Sequence, residues 1–438
     1  MKTTTTASKI RITPSIAPHP GTRQQLRNMQ PGHSRILNTA ILFFTALLLP
    51  AATILAQPAN AVLWKAPIFP LQQQHVHASS LVALPKGDLL VAWFQGNGER
   101  NADDVRIMGA RLKQGQHQWS SPFLMADTYG LPDCNPVLFL NHHKKLFLIW
   151  IAVQANRWEQ SLLKYRTSTD YQGNGAPQWN WQGNILLKPD NRFSEEVARK
   201  FKTLPPTGAG WAAYAPRYDD MIIEASTDPA KRSLGWQSRI QPLLGNQEEI
   251  LLPLYSDGFN FSLVARSTDD GKRWTPMLPI VGRGNVQPSL IAKKDGTLLA
   301  YMRDNGDSPG RVQLSRSKDD GLHWTAAQKT ALPNTASVKV LALKSGRWAL
   351  LGNDTDQGRY HLSLYLSDDE GRSWKWKMAL ENDPTKKGKF SYPSMIQTSD
   401  GLLHITYSYE PEANKESIFY MVVDPRKIPP TDQTVPHK

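Results

Sequence analysis

Cysteine is nearly absent. The single Cys134 excludes an internal disulfide and a cysteine-built metal site. It reads as a buried thiol, because nothing near it in sequence resembles a paired base. Acidic residues are missing from residues 1–61, which hold six lysines and arginines of the net +13. The remainder therefore carries +7, mildly basic for its length and favourable to anionic glycans. It contains no dense Lys/Arg stripe of the kind a phosphate track needs, so nucleic acid is not expected as a partner. Long apolar runs are also scarce. The only one, Ile36–Ala56, follows basic residues and leads to small residues at Ala59–Ala61. That pattern predicts a signal peptide or amino-terminal anchor over 1–61, with cleavage after Ala61 and a periplasmic or secreted product. Membrane contact is expected only if this segment is retained.

What the chain has in quantity is tryptophan (14), proline (32) and a repeat. The pattern Ser-x-Asp-x-Gly-x-x-Trp occurs at Ser267, Asp269, Gly271 and Trp274. It recurs at Ser317, Asp319, Gly321 and Trp324, and again at Ser367, Asp369, Gly371 and Trp374. Successive copies are 50 residues apart, and the apolar runs and turns before each copy align as well. Each unit reads as four short strands. Weaker units fill both ends, one of them keeping Ser168, Asp170 and Trp179. The strand Leu63–Phe69 would complete the last unit. The architecture expected is all-β, a six-bladed propeller of four-stranded antiparallel blades over 62–428, with a tail at 429–438.

Within the repeat, Ser and Asp can hold turn amides, Gly permits positive φ and Trp packs between layers. An acid needed once per active site would not recur at the same place in successive blades, so these aspartates read as structural. Residues 183–245 fit the repeat least and are expected to form an insertion over one rim. Within it, Ser194–Phe201 reads as a short helix and Ala225–Trp236 as a decayed copy of the turn. Glu195 and Glu196 read as a solvated helix face.

These copies resemble the Asp-box repeats of the sialidase (neuraminidase) superfamily, and the landmarks beginning at His77, Asn135, Gln287 and Ser391 resemble its bacterial and plant branch. The resemblance covers roughly residues 65–425 and implies a six-bladed sialidase-type propeller acting on terminal acidic sugars, without a cofactor. It implies that Arg303 and Arg359 clamp a sugar carboxylate and that Tyr392 is the nucleophile, supported by Glu410. In the first-blade loop it implies Arg100 as a substrate contact and Asp104 as acid/base, with Asp103 the next candidate. Two positions depart from the family: His77 stands where it has an arginine, and Gln287 where it has the glutamate that deprotonates the tyrosine. His77 is expected to add a charge when protonated, against Glu410. His75 and His77 alternate on a strand as metal ligands can, but with no matching carboxylate cluster a metal is not expected. Three functions follow: an exo-acting glycosidase of the sialidase type, a hydrolase or lyase of uronate- or rhamnose-containing polysaccharide, and a non-catalytic glycan binder.

Overall fold

The computed structural model of the protein describes residues 60–99, 102–207, 210–215 and 217–436. The expected targeting stretch, apart from Asn60 and Ala61, lies outside them. Six antiparallel sheets follow one another along the chain. Blade 1 is His75–Ala83, Leu89–Gly96, Arg106–Leu112 and Phe123–Ala126. Blade 2 is Asp133–Leu140, Leu146–Ala152, Leu162–Ser168 and Trp181–Asn184. Blade 3 is Trp236–Ser238, Ile250–Ser256, Phe261–Ser267 and Thr275–Pro276, with Leu243–Leu244 also paired to the second of these. Blade 4 is Asn285–Ala292, Leu298–Asp304, Arg311–Ser317 and Gln328–Pro333. Blade 5 is Lys339–Ala342, Trp348–Asn353, His361–Ser367 and Ser373–Asn382. Blade 6 is Lys389–Gln397, Leu403–Glu412 and Lys415–Val423, and its outer strand is Val62–Pro67 from the other end of the chain.

Strands in the middle of a blade are covered on both faces by neighbouring blades. They therefore read as unbroken apolar runs rather than alternating ones; Leu146–Ala152 is buried along its whole length. Serine hydroxyls join the inner strands. Ser80 accepts the Leu138 amide (2.9 Å), Ser289 the Val340 amide (3.0 Å) and Ser394 the Leu81 amide (3.0 Å). Each satisfies a buried N–H where two blades diverge and no strand ladder reaches it.

The Asp-box side chains turn towards their own backbone. Asp369 Oδ1 accepts from the Ser373 amide (2.9 Å) and the Ser367 hydroxyl (2.7 Å), and the Gly371 amide donates to Ser367 Oγ (2.9 Å). Asp319 takes the His323 amide at 3.0 Å, and Asp269 the Arg273 amide at 2.9 Å. Gly371 has φ +77°, and a Cβ there would land on the Tyr301 hydroxyl. Trp324 and Trp374 are buried, while Trp274 packs partly buried against the largest apolar cluster.

Three expectations are corrected in detail. The insertion is narrower than 183–245, because Trp181–Asn184 closes blade 2 and Trp236–Ser238 opens blade 3. Its centre is helical: Asn191–Phe201 is capped by Asp190, and Tyr218–Thr227 follows. The expected decayed turn is helical too. Asp228 caps Pro229–Ser233 by accepting the Ala230 amide at 2.8 Å, the Asp-Pro pair being a helix start rather than a strand turn. The expected tail instead adds a fifth strand, Pro430–Pro436, to blade 5.

Candidate active site

Four inner strands carry the same irregularity at one height. Ala78, Asn135, Gln287 and Tyr392 have φ between +51° and +57°, and the strand pairing of each blade skips at that point. An extra residue in one strand swings its side chain out of the ladder, and such bulges recur beside active sites. A non-glycine residue in this region costs on the order of 1–3 kcal/mol, so the surroundings must hold it there. Proline follows three of the four, at Pro136, Pro288 and Pro393. Lacking an N–H, it leaves no orphan donor where the ladder is broken.

Tyr392 lies at the centre. Its Oη accepts from Gln287 Nε2 and from an Arg303 guanidinium nitrogen, both at 3.0 Å. The Arg239 and Arg359 guanidinium carbons are 4.9 and 5.2 Å from its ring centroid. The His77 ring is tilted against it, centroids 4.0 Å apart. Burial pushes the phenol up, but Arg303, Arg359 and the Gln287 hydrogen bond outweigh burial and Glu99, and the net position is below the ordinary phenol range. Behind Gln287, Tyr255 Oη accepts from Asn135 Nδ2 at 3.0 Å. Burial, then Asp257, drives that second phenol well above its usual range. Two buried tyrosines a few ångströms apart are thus pushed in opposite directions by unequal shares of the guanidinium groups.

A cavity of about 460 Å³ opens over Tyr392 and Gln287. Arg303, Glu99 and Asp257 supply its charge, while Trp158, Tyr218 and Ile222 form an apolar wall. Tyr218 and Ile222 come from the helical insertion, which Arg283 holds by donating to Asp219 (2.6 and 2.9 Å) and to the Pro205 carbonyl (2.8 Å). The insertion therefore borders the cavity, at the rim where it was expected.

Of the residues singled out in the sequence, Tyr392, Gln287, Arg303, Arg359 and His77 come together here. The expected charge on His77 does not form. Burial, reinforced by His75 and three arginines, holds its imidazole neutral, well below the ordinary range. The protonated histidine is His75: burial opposes its charge, but Glu416 and Glu99 outweigh it and raise it to about 9. Glu410 does not reach Tyr392 in a hydrogen bond. It lies opposite Lys389 in the ladder and pairs with it at 3.0 Å. Asp104 is not among the residues lining the cavity. It is spent on its own loop, accepting from the Asn97 amide (3.0 Å) and from Asn97 Nδ2 (2.7 Å). Arg100 lies outside the described residues.

Among the residues that escaped the sequence reading are Glu99 and Arg239. Glu99 stands five residues before Asp104 in the same loop and lines the cavity. Arg239 begins just past the inner strand of blade 3, inside the stretch set aside as an insertion. It is buried and reaches across the axis to the carbonyls of Ser79 (3.2 Å) and Pro393 (3.3 Å). The missing inner strand of blade 3 was the signal that would have found it.

A family model for the BNR repeat-like domain matches residues 87–239 and 238–405. No curated protein matches the chain by sequence. Among solved structures, a Dyadobacter fermentans protein of unknown function has TM-score 0.61 and 14% identity, over 83% of this chain and 98% of that one. A leech intramolecular trans-sialidase complexed with 2,7-anhydro-Neu5Ac has TM-score 0.60 and 14% identity, over 83% and 71%. The intramolecular trans-sialidase of Ruminococcus gnavus, in complex with oseltamivir carboxylate, has TM-score 0.58 and 13% identity, over 84% and 99%. At such identities the likeness is one of fold.

Proposed function

The chain belongs to the BNR repeat-like family, and from that premise we propose that it is an exo-acting glycosidase of the sialidase type, removing a terminal acidic sugar from glycans. One observation carries the reading: Tyr392 sits on the floor of a monosaccharide-sized axial cavity with Arg303 on its oxygen and Arg359 beside its ring. Two guanidinium groups suit a carboxylate, which they hold by paired charged hydrogen bonds. A sugar with a carboxylate at its anomeric carbon repels a carboxylate nucleophile, and a tyrosine avoids that repulsion. In this reading Tyr392 attacks the anomeric carbon and Glu99, rather than Asp104, protonates the departing oxygen and later activates water. Two displacements at one carbon give net retention.

A panel of fluorogenic sialosides, uronides and rhamnosides tests the proposal, with the product identified by NMR. Release of an unsaturated sugar would assign a lyase instead. The second reading is a glycan-binding propeller without turnover, favoured by Gln287 standing where a base would. Tight binding of acidic sugars with no release from any member of the panel would establish it.

A further inference from the structure

The Tyr392 oxygen is surrounded by donors. Gln287 Nε2 and Arg303 each give it a hydrogen bond at 3.0 Å, and among the described residues none accepts one from it. A neutral phenol in this position would bury a proton with no partner, which costs on the order of 1–3 kcal/mol. The nearby cations also want a counter-charge. Arg239 donates to two carbonyls, Arg303 to Tyr392 and Asn305 Oδ1, and Arg359 to the Ser391 hydroxyl, all neutral oxygens when Tyr392 is a phenol. An ionised Tyr392 answers both problems at once.

We propose that Gln287 is a positioning residue that donates to Tyr392 and holds it as a phenolate in the resting pocket, so that the nucleophile needs no neighbouring base. The idea takes its purpose from the glycosidase reading, but its measurement does not depend on substrate. The hydroxyl proton leaves to solvent before the sugar binds, and Glu99 takes up a proton from solvent as the sugar enters. The phenolate oxygen then forms a C–O bond with the anomeric carbon as the glycosidic C–O bond breaks, and the released electron pair takes the proton of Glu99. In the second half, water attacks the same carbon, gives its proton back to Glu99 and expels the phenolate. A carboxylate in place of Gln287 would demand the phenolic proton and serve as base; an amide nitrogen forbids that role and supplies the opposite one.

The charged and titratable groups facing Tyr392 come from every neighbouring blade. They are neutral His77 and acidic Glu99 from blade 1, Arg239 and the Tyr255 phenol from blade 3, Arg303 from blade 4 and Arg359 from blade 5. Glu99 opposes ionisation by its charge and Asp257 adds a second carboxylate to the cavity wall, but Arg239, Arg303 and Arg359 outnumber them around the ring and its oxygen. The tilt is therefore towards the anion.

The test is the ultraviolet difference spectrum of ligand-free wild type minus Tyr392→Phe, titrated with acid. One phenolate should be present at neutral pH and should disappear on acidification. In Gln287→Glu that signal should be lost at neutral pH, because the added negative charge disfavours a second anion beside it and the carboxylate accepts a hydrogen bond from the neutral phenol. In Gln287→Met, which removes the donor without adding charge, the titration should move upwards. A Tyr392 neutral at pH 7 in wild type would overturn the proposal and mean that the Gln287 amide presents its oxygen to the phenol. A phenolate unchanged in Gln287→Glu would overturn it as well. Phenolate without turnover on any sugar would sink the glycosidase reading alone; turnover with a neutral tyrosine would sink only this one.

Discussion

Removing the Asp369 carboxylate by Asp369→Ala deletes the acceptor for three groups. Oδ1 loses the Ser373 amide and the Ser367 hydroxyl, and Oδ2 loses the Ser373 hydroxyl at 2.6 Å. The two hydroxyls can turn to other partners, so the amide is the main loss. Charged hydrogen bonds in half-exposed turns contribute about 1 kcal/mol each, and a total near 2 kcal/mol follows. A domain of this size unfolds with an entropy of roughly 0.8 kcal/mol/K, so the melting temperature should fall by about 2–3 °C. Gly371→Ala should do worse, because it adds a Cβ that clashes with Tyr301 at a backbone angle alanine rarely adopts. The assay is paired: calorimetric melting, and affinity for the best acidic ligand measured well below the transition. The box lies between the outer strands of blade 5, not in the cavity, so affinity should stay within about twofold, less than the 1.4 kcal/mol that a tenfold change represents. Lost affinity or turnover with an unchanged melting temperature would refute a structural role for the box.

Other outcomes follow from the same geometry. Arg303→Ala should weaken binding of an acidic sugar by about 1.5–3 kcal/mol, while its methyl ester binds weakly to both proteins; acid and ester binding wild type alike would end the anionic-sugar reading. Glu99→Gln should slow substrates with poor leaving groups most, whereas Asp104→Asn should disturb only its loop; the reverse order in kcat would return the acid/base role to Asp104. Asp269, Asp319 and Asp369 all lie below the usual carboxylate range, Asp269 at about 2 despite burial because Arg273 and turn amides hold it. Their stabilisation is complete above the unfolded carboxylate value and is lost as pH falls through the depressed folded value, about 2 for Asp269, so Asp269→Asn should flatten the acid limb of the melting curve. His75 has the opposite sign. Its contribution is complete below the ordinary histidine range and is lost as pH rises through about 9, so His75→Gln should remove part of the alkaline decline in stability. N-terminal sequencing of an exported form should read near Val62, and a mature protein that keeps Ile36–Ala56 would show a retained anchor.

The fold was legible because its turn chemistry repeats: serine, aspartate, glycine and tryptophan at fixed spacing dictate one local geometry three times over. Arg303, Arg359, Gln287 and Tyr392 were reachable by their order along that scaffold. Loops offered no such guide. The acids Glu99, Asp103 and Asp104 share one short segment, and only the turn decides that Glu99 faces the cavity while Asp104 caps Asn97. Glu410 was placed beside Tyr392 by the family resemblance, but ladder register sets it opposite Lys389. The charge state of His77 was hidden because it depends on burial among arginines that lie far apart in sequence. Arg239 was lost with the strand that precedes it.

The pairing of Val62–Pro67 with Lys415–Val423 also fixes when the molecule can be finished. Residues some 360 positions apart must meet before blade 6 is whole, a contact of very long range whose closure entropy precedes any reward. Until then blade 6 lacks its outer strand and blade 1 its neighbour across the seam. Synthesis supplies one half of the seam some 350 residues before the other, so the ring cannot close until the strand beginning at Lys415 has emerged, and a chain stalled short of it would expose an open strand edge to its neighbours. The seam is also portable. Joining the two ends and opening the ring in a turn between other blades would move the late step elsewhere without altering the finished circle, and the folding rate should follow the seam.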